Sequence, residues 1–89
     1  MRRSTVVIVN KLGLHARAAA KLVTLASEFV SEIHVERGAR RVNGKSIMGV
    51  MMLAAGQDTS IDLIAEGADE EQAVERLTEL IANKFGEAE

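Results

Sequence analysis

The segment Gly13-Leu14-His15-Ala16-Arg17 carries the two side chains of this sequence best suited to group transfer. A neutral imidazole keeps a lone pair on one ring nitrogen, and that nitrogen can attack phosphorus. Arg17, two residues on, offers a planar fork of N–H donors that matches phosphate oxygens and keeps its charge at any working pH. Their place in the chain adds to this. Ser4 to Val9 is rich in β-branched residues and reads as a strand, and Ala16 to Val30 shows helical periodicity with neither Gly nor Pro. His15 therefore falls at a strand-to-helix junction. The first turn of a helix has amides without intrahelical partners and a partial positive charge, which favours an anion and disfavours an extra proton on an imidazole. The segment thus reads as a phosphorylation site, with His15 as nucleophile and Arg17 as ligand of the transferred group. A His at a helix start can also simply cap it, and an Arg there is commonly a surface residue. The three letters His-Ala-Arg do not decide between these readings.

The elements that must hold this pair can be read from spacing. Thr5 to Val9 forms the first strand, and Asn10 to Leu14 is the loop that delivers His15. In the following helix Ala19, Leu22, Val23, Ala26 and Phe29 or Val30 recur at three- and four-residue steps, giving a core face. Ile33 to Glu36 alternates apolar and polar as a half-buried second strand that leaves His34 toward solvent. Gly38 marks a tight turn into a short third strand, Arg40 to Asn43, with Arg37, Arg40 and Arg41 as solvated charge around the hairpin. A second helix is expected over Ile47 to Leu53, and a fourth, central strand over Ile61 to Glu66. Asp69-Glu70-Glu71-Gln72 opens the last helix with an acidic first turn and a capping-box-like Asp and Gln. Its apolar stripe runs through Ala73, Leu77, Leu80, Ile81 and Phe85, Gly86 ends it, and Glu87 to Glu89 are expected to fray as solvating charge. The order β-α-β-β-α-β-α implies an α+β fold, a four-stranded antiparallel sheet with three helices on one face.

Composition narrows the functional classes. The 89 residues suit one small domain spanning 1–89, with 47% apolar residues for a single core. A formal net charge of −2 and only two aromatics, both Phe, offer nucleic acid neither a basic footprint nor a stacking platform. With no Cys there is no disulfide framework or thiolate zinc site, and nothing in the spacing of His15 and His34 arranges a metal site. Met-Arg-Arg-Ser precedes the first strand without an apolar leader, and no apolar run approaches the roughly 18 residues of a membrane span. The expectation is a soluble cytoplasmic protein with no cofactor, no metal and no membrane or nucleic-acid partner.

Gly44-Lys45-Ser46 matches the end of a nucleotide-binding P-loop, but five residues separate Gly38 from Gly44 where that motif needs four. Arg40 to Val42 also reads as strand where a phosphate cradle should be, so ATP binding is rejected. Ser46 is instead placed to cap the second helix with its hydroxyl. Of the apolar residues from Ile47 to Leu53, a short amphipathic helix buries about half. Ile47, Met48 and Met51 are the candidates for an adaptable exposed surface.

Two of these segments carry a family resemblance. Gly13-Leu14-His15-Ala16-Arg17, between a Val-rich strand and an Ala-rich helix, resembles the active-site segment of the HPr family, the histidine phosphocarriers of the bacterial phosphoenolpyruvate-dependent phosphotransferase system. Lys45-Ser46-Ile47-Met48-Gly49 resembles the HPr segment in which the serine can be a regulatory phosphorylation site and neighbouring apolar residues dock partners. The resemblance spans nearly the whole chain. It implies an open-faced sandwich with sheet order 1-4-2-3. It also implies a monomeric relay in which an enzyme I-type donor, charged from phosphoenolpyruvate, phosphorylates His15 at Nδ1 and an enzyme IIA-type domain accepts the group. A serine kinase or phosphorylase acting on Ser46 would complete the partners. Such a carrier needs little catalytic apparatus of its own, because phosphohistidine retains a high transfer potential. One departure bears on the branch. Sugar-branch carriers usually have Pro after His-Ala-Arg, whereas Ala18 follows here, which looks closer to NPr, the nitrogen-related paralogue. The alternatives are a sugar-branch HPr, a non-phosphorylated regulatory interaction module that binds through the Met surface, and a small autonomous enzyme.

Overall fold

Residues 61 to 66 alternate between two environments, and that alternation organises the molecule. In the computed structural model, which describes residues 1–88, Ile61, Leu63 and Ala65 are buried against the helices while Asp62 lies on the opposite face. The elements are β1 (Arg2–Val7), α1 (Ala16–Ala26), β2 (Glu32–Arg37), β3 (Arg40–Asn43), α2 (Ile47–Met52), β4 (Ser60–Glu66) and α3 (Glu70–Ala82), followed by a 3₁₀ turn, Lys84–Gly86. The strands form one antiparallel sheet in the order β1-β4-β2-β3, with β4 central as its pattern implies. Ile33 and Val35 of β2 join the face of Ile61, Leu63 and Ala65, and Leu22, Leu77 and Phe85 close the core from the helical side.

β1 begins earlier than its β-branched run suggests. Arg2 and Arg3 pair with Ala65 and Ile64, and the ladder stops at Val7 opposite Ser60. The cause lies on the solvent face of the sheet. The Arg3 guanidinium donates to Asp62 at 2.8 Å and to Glu36 at 2.6 Å, Thr5 donates to Asp62 at 2.6 Å, and Arg41 donates to Glu36 at 2.9 Å. Four strands are thus laced by alternating charges that single-strand propensity does not register. The Thr5 hydroxyl and then Arg3 hold the Asp62 carboxyl below the usual carboxylate range, as Arg41 and then Arg3 do for Glu36.

α1 stops at Ala26, four residues short of the periodic run. The chain tightens through Glu28 N–H to Leu25 O and Phe29 N–H to Ala26 O, which buries Phe29 and leaves Val30 77% exposed. Asp69 sets this end. Its carboxylate accepts from the amides of Val30 and Ser31, each at 3.0 Å, and from the Ser31 hydroxyl at 2.5 Å. Asp69 is at the N-cap position of α3 but makes no side-chain cap, so the capping box with Gln72 does not form. The Ser31 hydroxyl is the main reason the Asp69 carboxyl sits below its ordinary range.

α3 ends at Ala82 rather than at Gly86. Lys84, Phe85 and Gly86 then adopt positive φ of 57°, 56° and 78°, a left-handed turn that drives Phe85 into the core at 1% exposure. The Lys21 ammonium donates to the Phe85 carbonyl at 2.6 Å and pins this turn to α1. Arg37 and Arg40 are not merely solvated charge. Arg37 donates to the carbonyls of Leu53 and Ala54 and Arg40 to that of Met52, so both satisfy the C-terminal carbonyls of α2.

The loop before α1 is held by close backbone approach. Gly13 has φ +66°, and a Cβ there would lie 2.6 Å from the Ala55 carbonyl oxygen and 2.7 Å from the Gly56 Cα. Leu14 N–H donates to that same Ala55 carbonyl at 2.9 Å, and the Leu14 side chain is buried.

A carboxyl whose folded pKa is depressed stabilises the fold above its unfolded value near 4, and loses that contribution as pH falls through the folded pKa. Urea denaturation between about pH 7 and pH 3 should therefore show stability falling on acidification. Asp69→Asn should be less stable than wild type near neutrality and lose less as the pH is lowered. Gly13→Ala combines an unfavourable left-handed backbone, worth about 1–2 kcal/mol, with a backbone clash. Its urea midpoint should drop by more than that term alone accounts for, with an unchanged slope.

Candidate functional site

His15 stands at the N-cap of α1 with extended backbone, φ −73° and ψ 178°, and its carbonyl receives the Ala19 amide at 2.8 Å. Its side chain makes no cap hydrogen bond, so the imidazole does not close the helix end. The loop behind it is braced by Asn10, which is fully buried. The Asn10 amide group donates to the Gly13 carbonyl at 2.9 Å and to Glu87 Oε1 at 3.0 Å. Two separate backbone constraints, at Ala55 and at Asn10, thus fix where His15 emerges.

The imidazole meets a residue that sequence reasoning assigned to a fraying tail. His15 Nε2 lies 2.6 Å from Glu87 Oε2, and the two side chains are 28% and 14% exposed. Glu87 is therefore an ordered member of the site, whereas Glu89 lies outside the described residues. The hydrogen bond from His15, with help from Asn10 and the positive charge of Lys21, holds the Glu87 carboxyl below the usual range. An ionised carboxylate is acceptor only, so Nε2 is the donor in this contact, and a neutral ring bound this way has its lone pair on Nδ1. No local signal in the sequence brings residue 87 to residue 15; the left-handed turn at 84–86 does so.

Arg17 lies with His15 and Glu87 around one open cleft, whose wall includes Lys11, Leu12 and Ala88. It is exposed and makes no hydrogen bond or ion pair among the described residues. A guanidinium held beside a nucleophile without a protein carboxylate on it is free to receive an anion.

The second predicted segment forms a separate surface. The Gly49 amide donates to Ser46 Oγ at 3.1 Å, so Ser46 caps α2 as its type suggests. Val50 and Leu53 are buried, while Ile47, Met48 and Met51 are 43%, 71% and 39% exposed. Met52, at 59% exposed, adds to this apolar surface and is not among the expected residues, whereas Leu12, at 68%, lines the His15 cleft. α2 packs against α1, and Ala55 and Gly56 just beyond it are the residues on which Gly13 docks, so this surface is tied to the loop that presents His15. His34 sits partly exposed on the sheet face opposite the helices, paired with Ile64 and Asn43. Among the described residues no group of three or more His, Cys, Asp or Glu is arranged to hold a metal ion, and no helix is long and apolar enough to cross a membrane.

Known proteins resemble this chain in sequence and in fold. Residues 2–83 match the family model described as the PTS HPr component phosphorylation site. The chain is 57% identical over 82 residues to phosphocarrier protein HPr of Cupriavidus necator, covering 92% of each sequence. It is 54% identical over 89 residues to phosphocarrier protein HPr of Neisseria meningitidis, covering 100% of both. The crystal structure of HPr-C-His from Thermoanaerobacter tengcongensis superposes with a TM-score of 0.96 at 50% identity, covering 100% of each chain. Matched along its whole length in sequence, sheet order and helix arrangement, the chain belongs to the HPr family, the phosphocarrier proteins of the phosphotransferase system.

Proposed function

We propose that His15 takes up the phosphoryl group at Nδ1 from an enzyme I-type donor and passes it to an enzyme IIA-type acceptor, with Arg17 as its charge partner. The observation that carries this reading is the pairing of a partly exposed imidazole at the start of α1 with an unengaged guanidinium in the same cleft. Phosphoryl transfer asks for positioning and for neutralisation of charge on the equatorial oxygens, and little covalent chemistry from the protein. Here Arg17 and the positive end of α1 supply that charge, and the exposed cleft lets two different partners reach the same nitrogen in turn. The apolar residues Ile47, Met48 and Met51 form the docking surface, where unbranched Met side chains adapt to more than one partner. Ser46, between the cap of α2 and that surface, is the regulatory phosphorylation site of a serine kinase or phosphorylase. The carrier acts as a monomer in the cytoplasm, without cofactor.

Ala18 favours the nitrogen-related branch; it is fully buried in the first turn of α1, where Pro would be tolerated but is not needed. The sugar branch is the alternative. Charged carrier offered to IIA domains of the two kinds separates them, because the branch is defined by which domain drains the phosphate faster.

Incubation with phosphoenolpyruvate and enzyme I, followed by intact mass measurement, should add one acid-labile phosphate. His15→Ala should abolish it while keeping the melting temperature, and undiminished labelling of that variant would sink the assignment. Arg17→Ala should fold normally and be charged about a hundred- to a thousandfold more slowly, the range typical when one charge-stabilising donor is removed. Unchanged kinetics would make Arg17 a plain surface residue.

Ser46→Asp probes the docking surface. Asp caps a helix as well as Ser does and suits the positive end of the dipole, so its melting temperature should stay within about a few degrees of wild type. A charge inside an apolar contact must be desolvated, so charging on His15 should be markedly slower. Charging at the wild-type rate over a range of carrier concentrations would remove α2 from the interface.

A further inference from the structure

We propose that Glu87 is a positioning residue of the relay: its carboxylate holds the hydrogen on His15 Nε2 in both the free and the phosphorylated state, so that only Nδ1 reacts and no proton is exchanged during either transfer. The proposal rests on the reading of His15 as the phosphoryl acceptor and deepens it.

Four contacts carry it. Glu87 Oε2 lies 2.6 Å from Nε2, a short hydrogen bond to an acceptor that carries charge. Glu87 Oε1 is occupied by the Asn10 side-chain amide at 3.0 Å, which fixes the carboxylate plane, and Asn10 is itself anchored to the Gly13 carbonyl at 2.9 Å. The Lys21 bond to the Phe85 carbonyl holds the turn from which Glu87 springs. The result is an imidazole oriented by a carboxylate that is oriented in turn by a buried amide, on a loop set by backbone contact.

The electron count shows what this arrangement contributes. In uptake, the Nδ1 lone pair forms the new bond to phosphorus as the bond between phosphorus and the donor atom breaks, and that electron pair leaves with the donor. The ring then bears a positive charge spread over both nitrogens, with Nε2 still protonated and facing the negative Glu87. In delivery, the Nδ1–phosphorus pair returns to Nδ1 as the acceptor's bond forms, and the neutral ring reappears with its hydrogen where it began. If the hydrogen sat instead on Nδ1, that nitrogen would have no lone pair, and a proton would have to leave it before each uptake.

Glu87→Ala removes the contact, and Glu87→Gln keeps its size and an acceptor oxygen while removing the charge. Each is compared with wild type by His15 ring ¹⁵N shifts at about pH 8.5, where an ordinary imidazole is neutral, and by the rate of charging from enzyme I. Wild type should show Nε2 as the protonated nitrogen, Glu87→Ala should move toward a mixture of tautomers, and its charging should slow by about ten- to a hundredfold. Glu87→Gln should fall between them in rate, since it can orient the ring but not face its positive charge. Ring shifts in Glu87→Ala equal to wild type would overturn the proposal, whatever the rate; so would altered shifts with an unchanged rate. Slowed charging with unaltered shifts would assign Glu87 to partner contact. Absence of phosphate on wild-type His15 would instead reject the underlying reading of the acceptor, a result the ring shifts cannot produce.

Discussion

Where the loop before α1 crosses the end of the α2 segment, the Gly13 backbone passes the Ala55 carbonyl with room for a hydrogen atom and nothing larger. That approach, sealed by the Leu14 amide on the same carbonyl, sets the height and direction at which the chain enters α1. His15 inherits its place from it. A side chain at an N-cap is only as well positioned as the turn that precedes it, since the helix itself constrains nothing before its first residue. The same contact joins the His15 loop to the backbone just beyond α2, so the imidazole and the apolar residues of α2 are positioned through one shared contact.

The C-terminal turn supplies the other half of the site. Positive φ at two non-glycine residues, Lys84 and Phe85, is unfavourable by itself and persists because burial of Phe85 and the Lys21 bond to its carbonyl offset it. Its consequence is to reverse the chain so that Glu87 faces His15. Hydrophobic burial of one ring thereby decides the environment of another, and a residue with no local reason to be ordered becomes the best-connected carboxylate near the cleft.

Charge is used differently on the two sides of the molecule. On the open sheet face Arg3, Glu36, Asp62 and Arg41 neutralise one another across four strands. Around α2 the arginines of the hairpin are spent on carbonyl oxygens at the helix end. In the cleft, Arg17 is left without a carboxylate among the described residues. A protein that must attract a phosphoryl group and then release it is served by a cation that is not already satisfied, set against a helix end that adds positive potential without adding another side chain.

The sequence by itself determined the element order, the central place of β4, the cap at Ser46 and the strand-to-helix junction that presents His15 beside Arg17. Each depends on neighbours within a few residues: period-two alternation in β4, a hydroxyl before an apolar run, a helical repeat beginning at Ala16. The register of β1 was not legible, because Arg2 and Arg3 become strand residues through carboxylates that β4 and β2 bring to them. The ends of α1 and α3 are set by distant contacts in the same way. The sequence pattern suggests a local cap at Asp69, but its oxygens satisfy Val30 and Ser31 from another part of the chain. It suggests a stop at Gly86, but packing of Phe85 ends α3 earlier. Only the tertiary structure could bring Glu87 to His15, since a contact across 72 positions is produced by burial and chain reversal and leaves no periodic trace in the residues between.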